Sequence, residues 1–450
     1  MQFLLGLIIL SIIVFSFIRL KIGVAIYLAY LFLIPYMNIN FLGLNLSYNF
    51  VNTLVLIAFI VEFKYKNKRK IDWVLFKPFF ILYLLLMFAI PLQEGLSIPV
   101  AFNNFRLDVM SFLILPFVLY NIIKNDVNAI KLYRNIVVVC VIIIAVYGLF
   151  LTTTNGLNPY IIIMASLNNA EFNEEYVTIG GGRMFGRLSS VFTHPMTFAL
   201  NLGFSLIYIY SLKNKISKWW LIPILIMVSI NVFTCGIRSV IGGLGIVILY
   251  YLIASKNIKV LFGTCIVGSI GYFIISRIPE MASYVSSLAD VNATKTDIGG
   301  SSIEMRINQL YGCFDEISDC VLLGKGYGWT SYYMSIYKNH PVMLAFESLI
   351  YVVLCNWGLW GVLVWSIFLY QWYRRTHQRC NAKDIIMPVS LMLFYIAFSC
   401  ITGEYGYMKY FLLFYVLMMG EFQYKNMNIY ENKSTSNSHV PSPISSIQRE

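Results

Sequence analysis

Apolar residues run along this chain in stretches of membrane-spanning length, broken by short segments rich in Lys, Arg, Asn, Gly or Pro. A helix needs about 20 mostly apolar residues to cross a bilayer. Such stretches fall at 1–18, 22–37, 46–63, 74–91, 107–123, 135–152, 195–212, 219–235, 237–254, 258–275, 343–370, 385–402 and 406–421. The pattern predicts an all-α polytopic membrane protein with about 12–14 transmembrane helices, thirteen being favoured. Met1–Ile18 lacks the basic start and small-residue cleavage site of a signal peptide and is predicted as the first span. Residues 343–370 are long enough to tilt or to begin outside the membrane. Two breaks are large, roughly 153–194 and 276–342, and both carry Gly, aromatics and Arg, which argues for order. Residues 1–430 form the membrane domain on this division, and the Ser/Asn/Pro-rich 431–450 is predicted as a disordered tail.

Composition agrees with the pattern. The chain is 59% hydrophobic and only 12% charged, too little polar surface to coat a soluble globule, whose charged share is about 25%. Its net charge of +12 would point to nucleic acid in a soluble protein; in a membrane protein it reports orientation. If the breaks alternate sides, one side collects 23 of the 33 Lys and Arg residues and the other 10, five of them in the long 276–342 break. The positive-inside rule then predicts a cytoplasmic C-terminus, an external N-terminus and both large loops outside, with no nucleic-acid partner. Among the eight Cys, only Cys313 and Cys320 share an external segment. On a helix they lie about 10 Å apart along the axis, too far for a disulfide. Cys and His show no metal-ligand spacing, so no metal and no cofactor is expected.

The external side carries the candidate chemistry. Arg183 and Arg187 lie ahead of His194-Pro195, which opens a span, and Arg238 sits where one span turns into the next. An Arg at such depth is costly unless it pairs, lines a polar cavity or snorkels to the interface. An external anion, a diphosphate above all, suits the bidentate guanidinium; snorkelling is the alternative. Ile303, Ile307, Leu310, Phe314, Ile317 and Val321 form a stripe spanning about 80° of helical arc, as on a helix lying on the outer leaflet. Arg306 at its edge would face a lipid headgroup or simply be solvated. Glu347, in Phe346-Glu347-Ser348-Leu349, is a carboxylate early in an apolar run: either a general base or acid, or a helix-start carboxylate favoured by the dipole. His194 can cap the following span through its imidazole, and His340 precedes a span in the same way. Gly324-Lys325-Gly326-Tyr327-Gly328-Trp329 is a Gly-rich turn without phosphate-loop spacing. Its Tyr327 and Trp329, with Tyr332 and Tyr333, could stack on sugar rings or anchor at the interface.

Four patterns together resemble the superfamily of O-antigen polymerases (the Wzy type) and O-antigen ligases. They are Gly186-Arg187 through His194-Pro195 to Phe198-Ala199; Gly236-Ile237-Arg238-Ser239; Gly300-Ser301-Ser302 with Arg306 and then Leu323 to Gly328; and Glu347-Ser348 followed nine residues on by Gly358-Leu359-Trp360-Gly361. The last is similar to the ligase motif His-[Asn/Ser/Gln]-x9-Gly-x-x-Gly with Glu in place of His, which favours polymerase over ligase. The resemblance implies a GT-C-like helical bundle with a large late periplasmic loop, in a bacterial inner membrane, with its site facing the periplasm. It implies a metal-independent glycosyltransferase acting on undecaprenyl-diphosphate-linked glycan, with room for a chain-length regulator protein as a further partner. Glu347, Arg238 and Arg306 are then the expected catalytic residues, and Arg183, Arg187, His194, His340, Tyr327 and Trp329 the expected substrate-binding ones. Ligation of the glycan to lipid A core, or flipping of a lipid-linked oligosaccharide, are the alternatives.

Overall fold

The computed structural model of the protein describes residues 2–34, 38–41, 43–154, 158–167, 188–256, 263, 273, 277, 303–402 and 407–436. In chain order the helices are α1 (Gln2–Ile18), α2 (Leu20–Leu33), α3 (Tyr48–Ile60), α4 (Lys77–Ala89), α5 (Ile98–Phe112), α6 (Ile114–Asn125), α7 (Val127–Thr153) and α8 (Pro159–Leu167). Then follow α9 (Pro195–Ser211), α10 (Lys218–Thr234), α11 (Arg238–Ser255), α12 (Ile303–Glu316), α13 (Trp329–Tyr337), α14 (Leu349–His377), α15 (Ile386–Thr402) and α16 (Met408–Ser436). Every predicted span coincides with one of these, except 258–275, which apart from 263 and 273 lies outside the described residues. Five stretches are long and apolar enough to cross a membrane by themselves: Tyr48–Lys66, Ile98–Asn125, Asn128–Thr153, Arg238–Ser255 and Leu349–His377. Shorter apolar helices, among them α1, α2, α4 and α10, accompany them. The protein is a helical membrane protein.

Three details depart from the sequence pattern. A small antiparallel hairpin, β1 (Asn38–Phe41) with β2 (Leu44–Ser47), fills the break after α2; its alternating Asn/Ile and Leu/Asn positions carry a period-2 signal too short to stand out. Second, α5 starts at Ile98, well before the apolar run predicted from 107, because Asn103, Asn104, Arg106 and Asp108 dilute its hydrophobicity without preventing a helix. Third, α16 continues through Ser436, past the expected boundary of the tail; residues 437–450 lie outside the described residues.

The first half of α16 is the pillar of the bundle. From Met408 to Met419 nearly every side chain is buried, and Phe411 and Tyr415 stack at 5.6 Å. Trp372, Tyr395, Phe204 and Phe32 pack around them. A helix apolar on all sides is stable only inside such a shell. Lys409 is the exception, held over the Tyr48 and Tyr410 rings at 5.1 and 4.9 Å.

At one end of the bundle the breaks rich in Lys and Arg come together and pair with acids. Lys21 meets Asp126 at 2.7 Å, Lys124 and Arg379 both meet Asp72, and Lys215 and Arg134 both meet buried Glu421. All these cations belong to the set that alternation of the breaks assigns to one side. We call this the basic end.

At the other end, α14 is broken. Gly358 leaves helical geometry (φ 59, ψ −149), and the segment Val321–Gly326 closes the gap. Lys325 and Gly326 donate backbone N–H groups to Cys355 and Asn356, while Leu359 and Trp360 donate to Val321 and Leu322 at 3.0 and 2.9 Å. Gln93 adds bonds from its side-chain amide to the Leu323 and Asn356 carbonyls. Irregular backbone inside a membrane bundle is tolerated only when protein groups re-satisfy it in this way. A β-carbon on Gly324 would lie 2.5 Å from the Trp357 nitrogen, and one on Gly358 would lie 2.3 Å from the Val321 oxygen. The Gly-rich turn is therefore a plug for a broken helix.

Candidate functional site

Four helix ends meet near this break. Gly236 (φ 69) reverses the chain between α10 and α11 within three residues, which puts Arg238 at the first position of α11. Ser348 caps α14 by accepting from the Ile350 N–H at 3.2 Å, and its own hydroxyl donates to the Cys400 carbonyl at 2.7 Å. Glu347 immediately precedes this cap. Arg306, in the first turn of α12, donates from its guanidinium to the carbonyl of Ile401 in the last turn of α15. Tyr351 completes the knot, its hydroxyl donating to the Arg306 carbonyl at 2.9 Å.

Charge links these residues as well. Burial pulls the Arg306 guanidinium below its ordinary range, and the nearby Arg238 guanidinium pulls the same way. Tyr351 and the Glu347 carboxylate act against both. The Arg238 and Arg306 guanidinium groups and the Glu347 carboxylate thus share one neighbourhood. Arg238 also stands at a helix N-terminus, where the dipole already favours negative charge and disfavours a cation. The neighbourhood is electropositive by construction and suited to an anion with several oxygens. One turn after Arg306 on the same helix, Gln309 is buried with neither amide atom hydrogen-bonded among the described residues, an unusual expense for a structural residue.

α12 turns one face to protein and leaves part of its apolar stripe outward. Gln309, Gly312 and Cys313 are its buried residues, while Ile307 and Phe314 are exposed at 48% and 43% together with Tyr311. The face turned to protein is rotated toward Arg306, so Arg306 is half-buried against α15 instead of facing a headgroup or solvent. Part of its role is plain: it satisfies a carbonyl that a helix C-terminus leaves without a partner.

The other expected contact residues divide by location. His194 caps α9, its Nδ1 accepting from the Met196 N–H at 3.1 Å, which is the structural alternative of the two readings. His340 organises the loop that carries Glu347. Its Nδ1 accepts from Val342 and Met343, its backbone pairs with Leu344, and its Nε2 faces Glu316 at 3.4 Å. Nδ1 is occupied as an acceptor, so the proton sits on Nε2. This loop holds Leu344 and Phe346 at φ 53, a left-handed conformation worth about 1–3 kcal/mol of strain for such residues. His340 and the Phe346 packing against Trp329 and Tyr333 hold it in place.

Tyr327 and Trp329 are buried core residues. Tyr327 lies edge-on to Phe105 and Trp357 at 5.7 and 5.3 Å and donates its hydroxyl to Asp108 at 2.9 Å. Neither ring offers a free face for a sugar; Tyr332, exposed at 44%, does. Arg183 and Arg187 lie outside the described residues. Sequence reasoning missed Asp108, Gln309, Tyr351 and Lys409. Asp108 and Lys409 are isolated charges in apolar helices and could have been found that way. Gln309 and Tyr351 carry no signal until the helices are packed. Among the described residues, no three His, Cys, Asp or Glu side chains converge as a metal site.

Comparison with known proteins identifies no relative: no protein-family model, no curated protein and no solved structure matches the chain.

Proposed function

We propose that the chain is a membrane glycosyltransferase that polymerises undecaprenyl-diphosphate-linked oligosaccharide repeat units into O-antigen or a related surface polysaccharide at the periplasmic face. The observation that carries this reading is the meeting of helix ends distant in sequence, where Arg306 bonds the Ile401 carbonyl, Tyr351 bonds Arg306 and Ser348, next to Glu347, bonds Cys400, with Arg238 close enough to act on the Arg306 charge. Transfer of a growing glycan expels a lipid diphosphate, and the principal chemical demand is negative charge building on its departing oxygen. Arg238 and Arg306, preorganised at the N-termini of α11 and α12, supply fixed positive charge for that oxygen. Glu347 accepts the proton of the acceptor hydroxyl as that oxygen bonds to the anomeric carbon and the bond to diphosphate breaks. Tyr351 and Ser348 hold α12, α14 and α15 in register around them, and His340 positions the Glu347 loop.

The test is complementation of a polymerase-deficient bacterium with Arg238→Ala and Glu347→Gln, scored by glycan length on gels and by membrane abundance of the protein. The expected result is normal abundance with single-repeat glycan. Long-chain glycan from both variants overturns the assignment. Accumulation of lipid-linked polymer would instead mark a ligase, and vesicle flux of a one-sided lipid-linked substrate would mark a flippase.

A further inference from the structure

We propose that a groove at the basic end, remote from the helix ends described above, binds the headgroup of an anionic phospholipid. The groove has a volume of about 740 Å³ and is bordered by Arg19, Lys21, Lys66, Arg69, Glu62 and Asp126. Both acids are engaged. Asp126 pairs with Lys21 at 2.7 Å and accepts from the Asn128 N–H, while Glu62 accepts from the Leu20 N–H at 3.2 Å. Three cations therefore remain for a ligand. Lys66 makes one bond, to the Phe17 carbonyl at 3.2 Å, and Arg69 lies over the Phe63 ring at 6.0 Å. The exposed Arg19 side chain makes no hydrogen bond or ion pair among the described residues. Two guanidinium forks and an ammonium around a cavity of small-molecule size suit a phosphodiester.

The surroundings favour a lipid over a free anion. Phe17 and Ile18, exposed at 37% and 63%, lead directly into Arg19, and Tyr65, next to Lys66 in the chain, is exposed as well. Exposed apolar and aromatic side chains adjoining a cluster of cations match the make-up of a membrane interface. The α3 helix widens here into a π-helical turn, Val61–Lys66, with the Asn67 N–H reaching back to the Glu62 carbonyl at 2.9 Å. Such turns commonly mark functional positions. Acyl chains would run down the exposed α1 surface while the phosphate sits among Arg19, Lys66 and Arg69.

The experiment is native mass spectrometry of the purified full-length protein released from micelles doped with phosphatidylglycerol, phosphatidylcholine, or neither plus inorganic phosphate. The wild-type protein is expected to retain phosphatidylglycerol over phosphatidylcholine and to keep it in the presence of inorganic phosphate. Arg19→Gln/Arg69→Gln should weaken phosphatidylglycerol retention roughly thirtyfold, and Lys66→Gln alone about fivefold, at about 1 kcal/mol per interfacial cation. Arg374→Gln/Lys383→Gln, which removes two exposed charges from the same end but outside the groove, should leave retention unchanged. Equal retention of the two lipids, displacement by inorganic phosphate, or equal loss in both double variants would overturn the proposal.

Discussion

The two ends of this bundle treat charge in opposite ways. At the basic end, five cations are matched with acids: Asp72 serves Lys124 and Arg379, Glu421 serves Lys215 and Arg134, and Asp126 serves Lys21, while Arg19, Lys66 and Arg69 remain for the proposed lipid groove. At the other end, Arg238, Arg306 and Glu347 stand together, and the Arg306 side chain is held by a backbone carbonyl. Matched pairs hold helices in register and need nothing further. Two guanidinium groups at helix N-termini repel one another and would both gain from an anion bound between them. On the proposed function, the matched pairs at the basic end serve assembly and the opposite end serves chemistry.

Breaking the matched end should have the largest effect. Glu421→Ala leaves Lys215 and Arg134 beside an empty buried space and should destabilise the protein by roughly 3–5 kcal/mol, seen as a lower unfolding midpoint in detergent while the surviving folded protein remains active. The reverse result is expected at the other end. Arg238→Ala or Glu347→Gln should leave the midpoint nearly unchanged and lower polymer formation by about a hundred- to a thousandfold, the usual effect of removing one transition-state charge partner. If those variants unfolded and Glu421→Ala did not, the division of labour would be inverted.

A smaller effect tests the broken helix. Gly358→Ala must hold φ 59 and place a carbon 2.3 Å from the Val321 oxygen; a loss of about 1–3 kcal/mol is expected from strain and overpacking. Protease protection of the 321–330 segment would report the displaced plug. The smallest effect is in pH. Burial would raise the Asp72 and Asp126 carboxyls, but hydrogen bonds from Lys124 and Lys21 prevail and hold both below their ordinary 3.8. Groups lowered in this way stabilise the fold above the unfolded value, and that contribution is lost as pH falls through the folded one. The unfolding midpoint should be flat from neutral pH to about 4 and fall below it, by no more than about 1 kcal/mol per pair. Asp72→Asn/Asp126→Asn should remove that slope.

Much of the architecture was legible because a span announces itself by local composition. Most helix positions followed from apolar run lengths, and the cap His194 stood at a visible span start. Glu347, Arg238 and Arg306 were legible as costly charges for the same reason. Contacts between segments were not. Arg306 looked exposed because periodicity gives a helix a stripe but not the neighbour its edge meets, here the end of α15. Tyr327 and Trp329 looked like surface aromatics, since nothing local shows that a Gly-rich turn plugs a helix 30 residues later.

The sequence by itself determined that this is a helical membrane protein, where most helices lie, and which breaks share an end. Run length and the sorting of Lys and Arg are properties of each segment taken alone. Only the tertiary structure decided which helix ends meet, that α14 breaks at Gly358 and is repaired by Val321–Gly326, and that Arg238, Arg306 and Glu347 become neighbours. Those outcomes depend on satisfying backbone groups and burying surface between segments distant in the chain, and no single segment carries that information.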